Sequence, residues 1–295
     1  MERKNIESYV EKVEQIPTLP IVSQQIFPLL GDEDVSVKKV AELIEKDQAL
    51  AVKILKVANS AFYGTLGKVS SIDHALVILG IDEVRSILLA FSIYNFFPNE
   101  NGDGFDRTRF WKHSIICSQV AKYMARYFKM ERDDTLFLSG LIHDMGKVVF
   151  DQYFHDEFIQ ILDFISSNHE SFSKGEKEIL GITHYQVAAK LLQQWKLPEK
   201  VIMHVFYHHA PWQDKNYGSG SIVIYLANLF TKLAGYSCHP FEKQAQVSEF
   251  VDSKVMDFIV QSGFDLDYQS IEKMIQQIQE FIAMEAENML SFFER

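Results

Sequence analysis

Histidine and aspartate residues recur in the second half of the chain in an arrangement that a metal site could use. Imidazole nitrogen and carboxylate oxygen suit divalent Zn, Fe, Mn or Ni. The adjacent pair His143-Asp144 lets an imidazole bind one ion while the carboxylate binds or bridges. Cysteine plays no part in the spacing, so the pattern is not that of a zinc finger. The candidate ligands are His113, His143, Asp144, His184, His208 and His209.

The His143-Asp144 pair lies in the segment LIHDMGKVV, where apolar residues flank the two polar ones. Burying such a pair without partners is costly, which favours a role as ligands. Gly146 gives the backbone room. Lys147 follows His143 by four residues, which predicts that both lie on one face of a helix. Lys147 is then expected to hold a phosphate oxygen or to pair with Asp144, and the alternative is a solvated lysine.

The double histidine His208-His209 lies in the segment FYHHAPW, after the end of a predicted helix, where a loop can aim both rings at one point. His204 precedes His208 by four residues and shares its helical face if the helix persists that far. Cys117 is interpreted as a small buried hydrophobe rather than as an additional ligand. The alternative for the whole set is packing alone. The histidines outside the motif order are interpreted as ordinary core or surface groups, namely His74, His155, His169, His204 and His239.

Helical periodicity of apolar residues recurs along the chain, and the alternation typical of strands is nearly absent. The predicted fold class is therefore all-α, a multi-helix bundle. Asp47 is a predicted N-cap, and the Asn59-Ser60 pair offers a stop for the same helix. Gly80 is predicted to end one helix and Asp82 to cap the next. For the helix that Asp47 caps and its C-terminal turn, packing against the core is favoured. The alternative is that Asn59 anchors a ligand or partner.

Longer stretches of the second half are helical by the same criterion. Thr183 and Gln186 form a capping-box pattern that opens one more helix. The last helix is amphipathic between Ile271 and Ile282, so it either packs on the body or contacts a partner. The other predicted helices run from Phe110 to Phe128, Asp134 to Tyr153, Asp156 to Asn168, Pro198 to Tyr207 and Ser221 to Leu233.

The segment PNENGDGFDR combines one proline, two glycines and several turn formers, which makes it the best candidate for a linker. Phe96-Phe97, just before it, are candidates for a seam between lobes. The predicted division of the chain is a helical lobe over residues 1–97, a linker over 98–107, a second helical lobe over 108–240 and a helical tail over 241–295.

Composition narrows the classes of function. The net charge is −11, from 40 acidic and 29 basic residues, which argues against a broad nucleic-acid footprint. Only Cys117 and Cys238 are present, which indicates reduced thiols and a cytoplasmic protein. The most apolar run, Ser86 to Phe97, is too short to span a bilayer. The sequence therefore predicts no membrane segment and no nucleic-acid partner.

The order of the histidine motifs resembles the HD superfamily of metal-dependent phosphohydrolases, and more closely its HD-GYP branch, which cleaves cyclic dinucleotides. After the double histidine, however, the chain reads APWQDKNYGSG and lacks the DGxGYP signature. Ala227-Asn228 stands where that family has Ala-Asp. Loss of this carboxylate removes an anionic ligand, which lowers the expected affinity for two ions and the expected activation of water.

The N-terminal half resembles the HDOD family, an HD-related output domain. The resemblance implies an HDOD helical lobe packed on an HD-like helical lobe in a bacterial signalling protein. Members act through contacts with other proteins and lack proven hydrolase activity. The resemblance covers about Ile16 to Leu233, and its motifs are IPTLP at Ile16 to Pro20, DQALAVKILKVANSAFYG at Asp47 to Gly64 and SSIDHALVILGIDEVRSILLA at Ser70 to Ala90.

Two functions are expected from these resemblances. The first is a signal-transduction output module that acts through signalling proteins in trans and carries an HD-like site able to bind a divalent metal. The alternative is a metal-dependent phosphohydrolase acting on a nucleotide, a cyclic dinucleotide or another phosphoester. In that case metal ions held by the six candidate ligands would polarise phosphoryl oxygens and deprotonate a bound water. Asp144 and Lys147 would be the catalytic residues, and Lys147 would stabilise negative charge on the phosphate. A middle case is a sensor that binds a metal or nucleotide without turnover.

Overall fold

The computed structural model describes most of the chain, and every regular element in the described part is a helix. The all-α prediction is confirmed. Among the same residues, no helix combines the length and the apolar character needed to cross a bilayer. The described residues are 13, 15–16, 37–59, 68–97, 104–130, 133, 135–250, 252–264 and 268–291, without the side chains of 43, 49 and 285–291.

The described residues divide into two compact units. The smaller unit is drawn from residues 19–98 and 283–295, and the larger from 1–18 and 99–282. The predicted lobe, linker and tail boundaries stay predictions. Most of IPTLP, residues 60–67, which include the end of the motif DQALAVKILKVANSAFYG, and residues 98–103 of the predicted linker lie outside the described residues. The helices of the smaller unit are α1 (Val37–Glu45), α2 (Gln48–Ala58), α3 (Ile72–Leu79) and α4 (Ile81–Phe96).

Helix ends in the smaller unit follow the capping signals of the sequence, with one exception. Asp47 Oδ1 accepts the backbone amide of Leu50 at 3.2 Å, which confirms the predicted N-cap. Gly80, at φ 82°, ends α3 as predicted. The prediction that Asp82 caps the next helix is wrong, because α4 begins at Ile81 directly after Gly80. The carboxylate of Asp82 instead accepts the side chain of Arg85 at 2.6 Å.

Asn59 closes α2 by binding a segment ten residues further along. Its amide nitrogen donates to the carbonyls of Leu55 and Val69 at 2.7 and 2.8 Å. Its amide oxygen accepts the backbone N–H of Val69 at 2.8 Å. The side chain thus fixes residues 68–70 against the end of α2, which supports the packing interpretation of this residue rather than a ligand anchor.

The larger unit packs its helices around a long central one. Helix α5 packs against α6 and α12, and α10 packs against both α7 and α11. Short 3₁₀ turns follow α11 and precede α13. The helices are α5 (Arg107–Tyr127), α6 (Thr135–Ile142), α7 (Met145–Tyr153), α8 (His155–Asn168), α9 (Phe172–Ile179), α10 (His184–Gln194), α11 (Glu199–Tyr207), α12 (Gly218–Leu233), α13 (Ser253–Gln261) and α14 (Tyr268–Ser291).

The predicted single helix from Asp134 to Tyr153 is wrong, because the chain turns at His143 and Asp144 between α6 and α7. Asp144 has φ −99° and ψ 3°, outside helical geometry. His143 and Lys147 therefore do not share one helical face. The apolar periodicity continues through the turn because both sides of it are buried, so periodicity alone does not reveal the break.

Other sequence signals in the larger unit are confirmed. Thr183 and Gln186 form the predicted capping box, with Gln186 Oε1 accepting the backbone amide of Thr183 at 2.9 Å. Val187, Ala188, Leu191 and Leu192 of α10 are buried, so this helix packs through the face that they share. On α14, Ile271 and Ile278 are fully buried, so this helix packs on the larger unit through that face. Helix α12 begins at Gly218, three residues before its predicted start.

Asn59→Ala should destabilise the α2 end by about 1–2 kcal/mol, because three hydrogen bonds are lost at a partly buried place. The measurement is hydrogen exchange by mass spectrometry on the peptide that contains Val69. Its amide should exchange faster in the variant. The exposed Glu42 on α1 supplies a control, Glu42→Gln, which should leave that exchange rate unchanged. Equal rates in Asn59→Ala and the parent chain would refute the structural role.

Candidate metal centre

All six predicted ligand residues lie in the larger unit, and they come from four places in the chain. His113 lies in the middle of α5, and His184 is the first residue of α10. His143 and Asp144 form the turn between α6 and α7, and His208-His209 directly follow α11. The structure brings them together in two groups whose possible ligand atoms lie within 4.8 Å of one another. The groups are His113, His143 and Asp144, and Asp144, His184, His208 and His209.

Three of the imidazoles are held through Nδ1 by backbone carbonyls. The acceptors are the carbonyls of Tyr236 for His113 at 2.6 Å, Gly140 for His143 at 2.8 Å and Val205 for His208 at 2.7 Å. A carbonyl only accepts, so each Nδ1 must carry the proton. In a neutral ring the lone pair is then on Nε2. This is the arrangement in which ligating histidines are usually oriented.

The Nε2 atoms of five imidazoles lie close together in two sets. Nε2 of His113 lies 3.3 Å from that of His143. Nε2 of His184 lies 3.5 Å from that of His208 and 3.1 Å from that of His209. Two lone pairs at such distances repel unless a proton or cation lies between them. Two imidazoles on a tetrahedral ion with bonds of about 2.05 Å would place their nitrogens about 3.3 Å apart, which matches the observed range.

Asp144 lies between the two groups of imidazoles. Its Oδ2 lies 3.4 Å from Nε2 of His143, and its Oδ1 lies 3.1 Å from Nε2 of His184. Oδ1 is fully buried and makes no hydrogen bond to any residue that the structure describes. A buried carboxylate oxygen without a donor is costly, and a cation would satisfy it. The donor set therefore fits divalent metal binding, with this carboxylate within reach of both groups of imidazoles.

Burial and neighbouring charges shift the pKa values of these groups in different directions. Burial, reinforced by the neighbouring His143, lowers the pKa of His113 to about 3. Burial also lowers the pKa of His208 to about 3. Burial opposes the charge of His143 as well, but the Asp144 carboxylate outweighs it and raises the pKa to about 10. The pKa of Asp144 lies well below its usual value, because Lys147 outweighs burial.

Glu176 is a supporting residue that sequence reasoning missed. Its two carboxylate oxygens accept Nδ1 of His184 at 2.8 and 2.7 Å, and Oε2 also accepts the His184 backbone amide at 2.9 Å. Both residues are fully buried. A carboxylate behind a ligating imidazole fixes its orientation and increases its basicity. Glu176 lies on α9, eight residues before His184, and no helical spacing links the two in the sequence.

Two glycines allow the helices that carry the ligands to approach closely. A Cβ on Gly146 would lie 2.0 Å from the carbonyl oxygen of His184, so α7 meets the start of α10 backbone to backbone. A Cβ on Gly140 would lie 2.7 Å from Cα of Ser118, where α6 meets α5. The sequence-based suggestion that Gly146 gives the backbone room agrees with this contact.

Lys147 is buried rather than solvated. Its Nζ donates to Asp144 Oδ2 at 2.7 Å, lies 3.2 Å from Sγ of Cys238 and stands 4.3 Å above the ring of Phe172. The predicted pairing with Asp144 is therefore present, although through a turn and not a helical face. A second buried pair lies nearby, in which Lys232 donates to Glu242 at 2.6 Å.

Other residues considered from the sequence lie outside the two groups. His204 is buried with Nδ1 3.1 Å from Ser139 Oγ, so it belongs to the core between α11 and α6. Cys117 is buried and is not grouped with the ligands among the described residues. Asn228, on α12, is 5% exposed and lines a cavity beside His209, where a carboxylate would have added negative charge.

An all-α chain with a His-Asp pair inside a buried histidine cluster defines the class of HD-like helical proteins. The profile of the HDOD domain matches residues 16–211 of the 295, and the chain belongs to the HDOD domain family. The family resemblance drawn from the sequence is thereby confirmed.

Solved structures share the fold at low sequence identity. An HDOD domain protein of unknown function from Geobacter sulfurreducens superposes with a TM-score of 0.83 at 23% identity, covering 98% of this chain and 97% of that one. A protein from Shewanella amazonensis, provisionally described as a phosphohydrolase, superposes with a TM-score of 0.75 at 20% identity, covering 99% of both chains. At these identities the likeness shows the fold alone.

Two curated bacterial proteins, both uncharacterized, match in sequence. One, from Treponema pallidum, is 24% identical over 227 residues, which are 75% of this chain and 43% of that protein. YuxH of Bacillus subtilis is 26% identical over 112 residues, which are 38% of this chain and 27% of that protein. The matched part therefore spans less than half the length of either relative.

Gly146→Ala should destabilise the protein by about 1–3 kcal/mol or more, because its Cβ would collide with the backbone carbonyl of His184. Gly175→Ala on α9 is the matched control. Its Cβ would meet only side-chain carbons of Ile165, Ile161 and Phe164 at 3.1–3.3 Å. Urea denaturation followed by circular dichroism compares the two variants. A loss in Gly175→Ala as large as that in Gly146→Ala would contradict the close-approach argument.

Proposed function

We propose that the chain is a metal-binding HDOD signalling module that acts through contacts with other proteins. The observation that carries the metal assignment is the convergence of imidazole Nε2 atoms on one another, with Nδ1 of each of three rings fixed by a carbonyl. Without a proton or a cation between them, two such nitrogens would direct their lone pairs at one another in a buried place. The signalling role rests on membership of the HDOD family.

In this proposal each of the two groups of ligands would hold one ion. His113, His143 and Asp144 would hold one ion, and Asp144 would bridge to a second. The second ion would be held by the remaining three residues, His184, His208 and His209. Nitrogen-rich ligation with a single carboxylate favours Zn, Fe, Mn or Ni over Mg or Ca. When bound, such ions polarise phosphoryl oxygens and lower the pKa of a coordinated water.

The metal proposal is tested by elemental analysis of the purified chain after dialysis against buffer without chelator. The parent chain should carry up to two transition-metal ions per molecule. Asp144→Ala should lose both, because its carboxylate belongs to both groups. His74→Ala, at an exposed histidine of the smaller unit, is the control and should retain the parent content. A folded Asp144→Ala chain with unchanged metal content would sink the assignment.

Glu176→Gln should weaken metal binding about 10- to 100-fold, because the carboxylate that orients His184 is lost while the shape is kept. The measurement is competition with a chromophoric chelator for Zn²⁺ at neutral pH. Glu178→Gln, at an exposed position on the same helix, is the matched control and should leave the affinity unchanged. Equal affinities in both variants would remove Glu176 from the site.

Metal-dependent hydrolysis of a phosphoester is the second candidate function. The observation that favours it is a cavity of about 250 Å³ bordered by His209 of the metal centre and by Lys147. Lys147 could stabilise negative charge on a phosphate, although its present partner is Asp144. The lack of the GYP signature and the amide at Asn228 favour the signalling module.

Turnover separates the two candidates. The metal-loaded chain is incubated with a panel of phosphomonoesters, nucleotides and cyclic dinucleotides, and released phosphate or product is measured. The signalling proposal expects bound metal with no turnover above the metal-free chain. Turnover that Asp144→Ala abolishes and His74→Ala preserves would instead establish the phosphohydrolase.

A further inference from the structure

A cavity of about 250 Å³ lies beside the metal centre within the larger unit. Its lining includes His209, Asn228 and the segment that opens α9. We call it the lysine cavity after three of its lining residues, Lys147, Lys232 and Lys243. Lys232 and Lys243 have no part in the donor set of the metal centre.

The first turn of α9 adds donors to the lysine cavity. Ser171 is the N-cap of this helix, and Phe172 and Ser173 follow it, so the positive end of the helix dipole borders the cavity. Helix N-termini are recurrent sites for phosphate groups. The hydroxyl oxygen of Ser173 is buried and has no hydrogen-bond partner among the described residues. A hydroxyl left in this state points to a missing ligand or water.

A second polar group in the wall lacks a partner as well. The side-chain oxygen of Asn228 is buried and makes no hydrogen bond within the described residues, although the residue is 5% exposed. An amide presents both a donor and an acceptor, so it can bind a phosphate oxygen or a hydroxyl of an organic group. An aspartate at the same place would instead repel an anion.

The residues that line the lysine cavity carry slightly more positive than negative charge. Three lysines face two glutamates, Glu242 and Glu249. Lys232 is paired with Glu242, and Lys147 with Asp144, so part of the positive charge is compensated by the protein. A phosphate dianion would share both ammonium groups with these carboxylates. Because both lysines are already ordered by these pairs, little side-chain entropy is lost when the anion binds.

The volume limits the size of the ligand. Pockets for ligands of drug size measure about 300–1,000 Å³, and this cavity lies just below that range. A single phosphate group on a small organic body fits the volume. A cyclic dinucleotide, with two phosphates and two bases, exceeds it.

We propose that the lysine cavity binds the phosphate group of a small phosphomonoester through Lys232, Ser173 and the N-terminus of α9, next to the metal centre. This proposal rests on the proposed metal-binding function, because the metal centre forms the neighbouring wall. It names the ligand class of that same site, and it holds for a sensor as well as for a hydrolase because it concerns binding alone.

The test is isothermal titration calorimetry of the full chain, both metal-loaded and chelator-treated, with inorganic phosphate and with glycerol 2-phosphate as probes. Both forms of the parent chain should bind each probe with saturation. Lys232→Met should weaken binding about 10- to 100-fold, the loss expected when a charge-assisted hydrogen bond is removed. Lys174→Met is the matched control, since its side chain on α9 is 59% exposed and is not among the lining residues.

A second variant protects the test from a folding defect, because Lys232→Met leaves Glu242 buried without its cation. Ser173→Ala removes one unpartnered hydroxyl and should weaken binding about 3- to 10-fold without loss of thermal stability. Unchanged binding in Ser173→Ala and in a folded Lys232→Met chain would overturn the proposal. Tighter binding of a cyclic dinucleotide than of glycerol 2-phosphate would overturn the size argument.

Failure of the metal proposal gives a different result from failure of this one. A chain that carries no metal but binds phosphate in a Lys232-dependent way supports the lysine cavity and refutes the metal centre. A chain that carries two ions but shows no saturable phosphate binding supports the metal centre and refutes the lysine cavity.

Discussion

The larger unit depends on one electrostatic constraint: imidazole Nε2 atoms lie 3.1–3.5 Å apart in a largely buried cluster. His113, His143 and His208 are fully buried, and their Nδ1 atoms are already committed to carbonyls. A ring fixed in this way cannot turn its lone pair elsewhere without losing a hydrogen bond. Each close pair of Nε2 atoms therefore needs a proton or a cation between its members, and a metal ion is one group that meets this need.

The surrounding fold positions these imidazoles through close contacts between backbone segments. Gly140 and Gly146 bring helices within backbone contact, so the carbonyl and imidazole groups of neighbouring helices can meet. Arg109 of α5 donates to the carbonyl of Ser237 at 2.9 Å, which holds the segment whose Tyr236 carbonyl binds His113. Such contacts between rigid elements locate side chains more firmly than loop contacts would.

The sequence predicts the all-α class and places the candidate ligands, but not the details that join them. Apolar spacing and the capping signals of Asp47 and Thr183 are local features, so they can be recognised in the sequence without knowledge of the tertiary structure. The turn at His143-Asp144 is not predicted, because buried residues on both sides of it continue the helical period. Glu176 is not predicted, because its contact with His184 forms only when α9 and the first residue of α10 come together in the folded chain.

The proposed ions would connect metal occupancy to the stability of the whole larger unit. The ligands come from α5, from the turn between α6 and α7, from the start of α10 and from the end of α11, so one site joins four places in the chain. A ligand that binds only the folded state stabilises it by about 2.7 kcal/mol at a hundredfold excess over its Kd. That is a large part of the 5–15 kcal/mol typical of a domain. Occupancy of this centre would thus affect the stability of the helices around it. A partner protein that binds those helices would then respond to the metal without any turnover at the site.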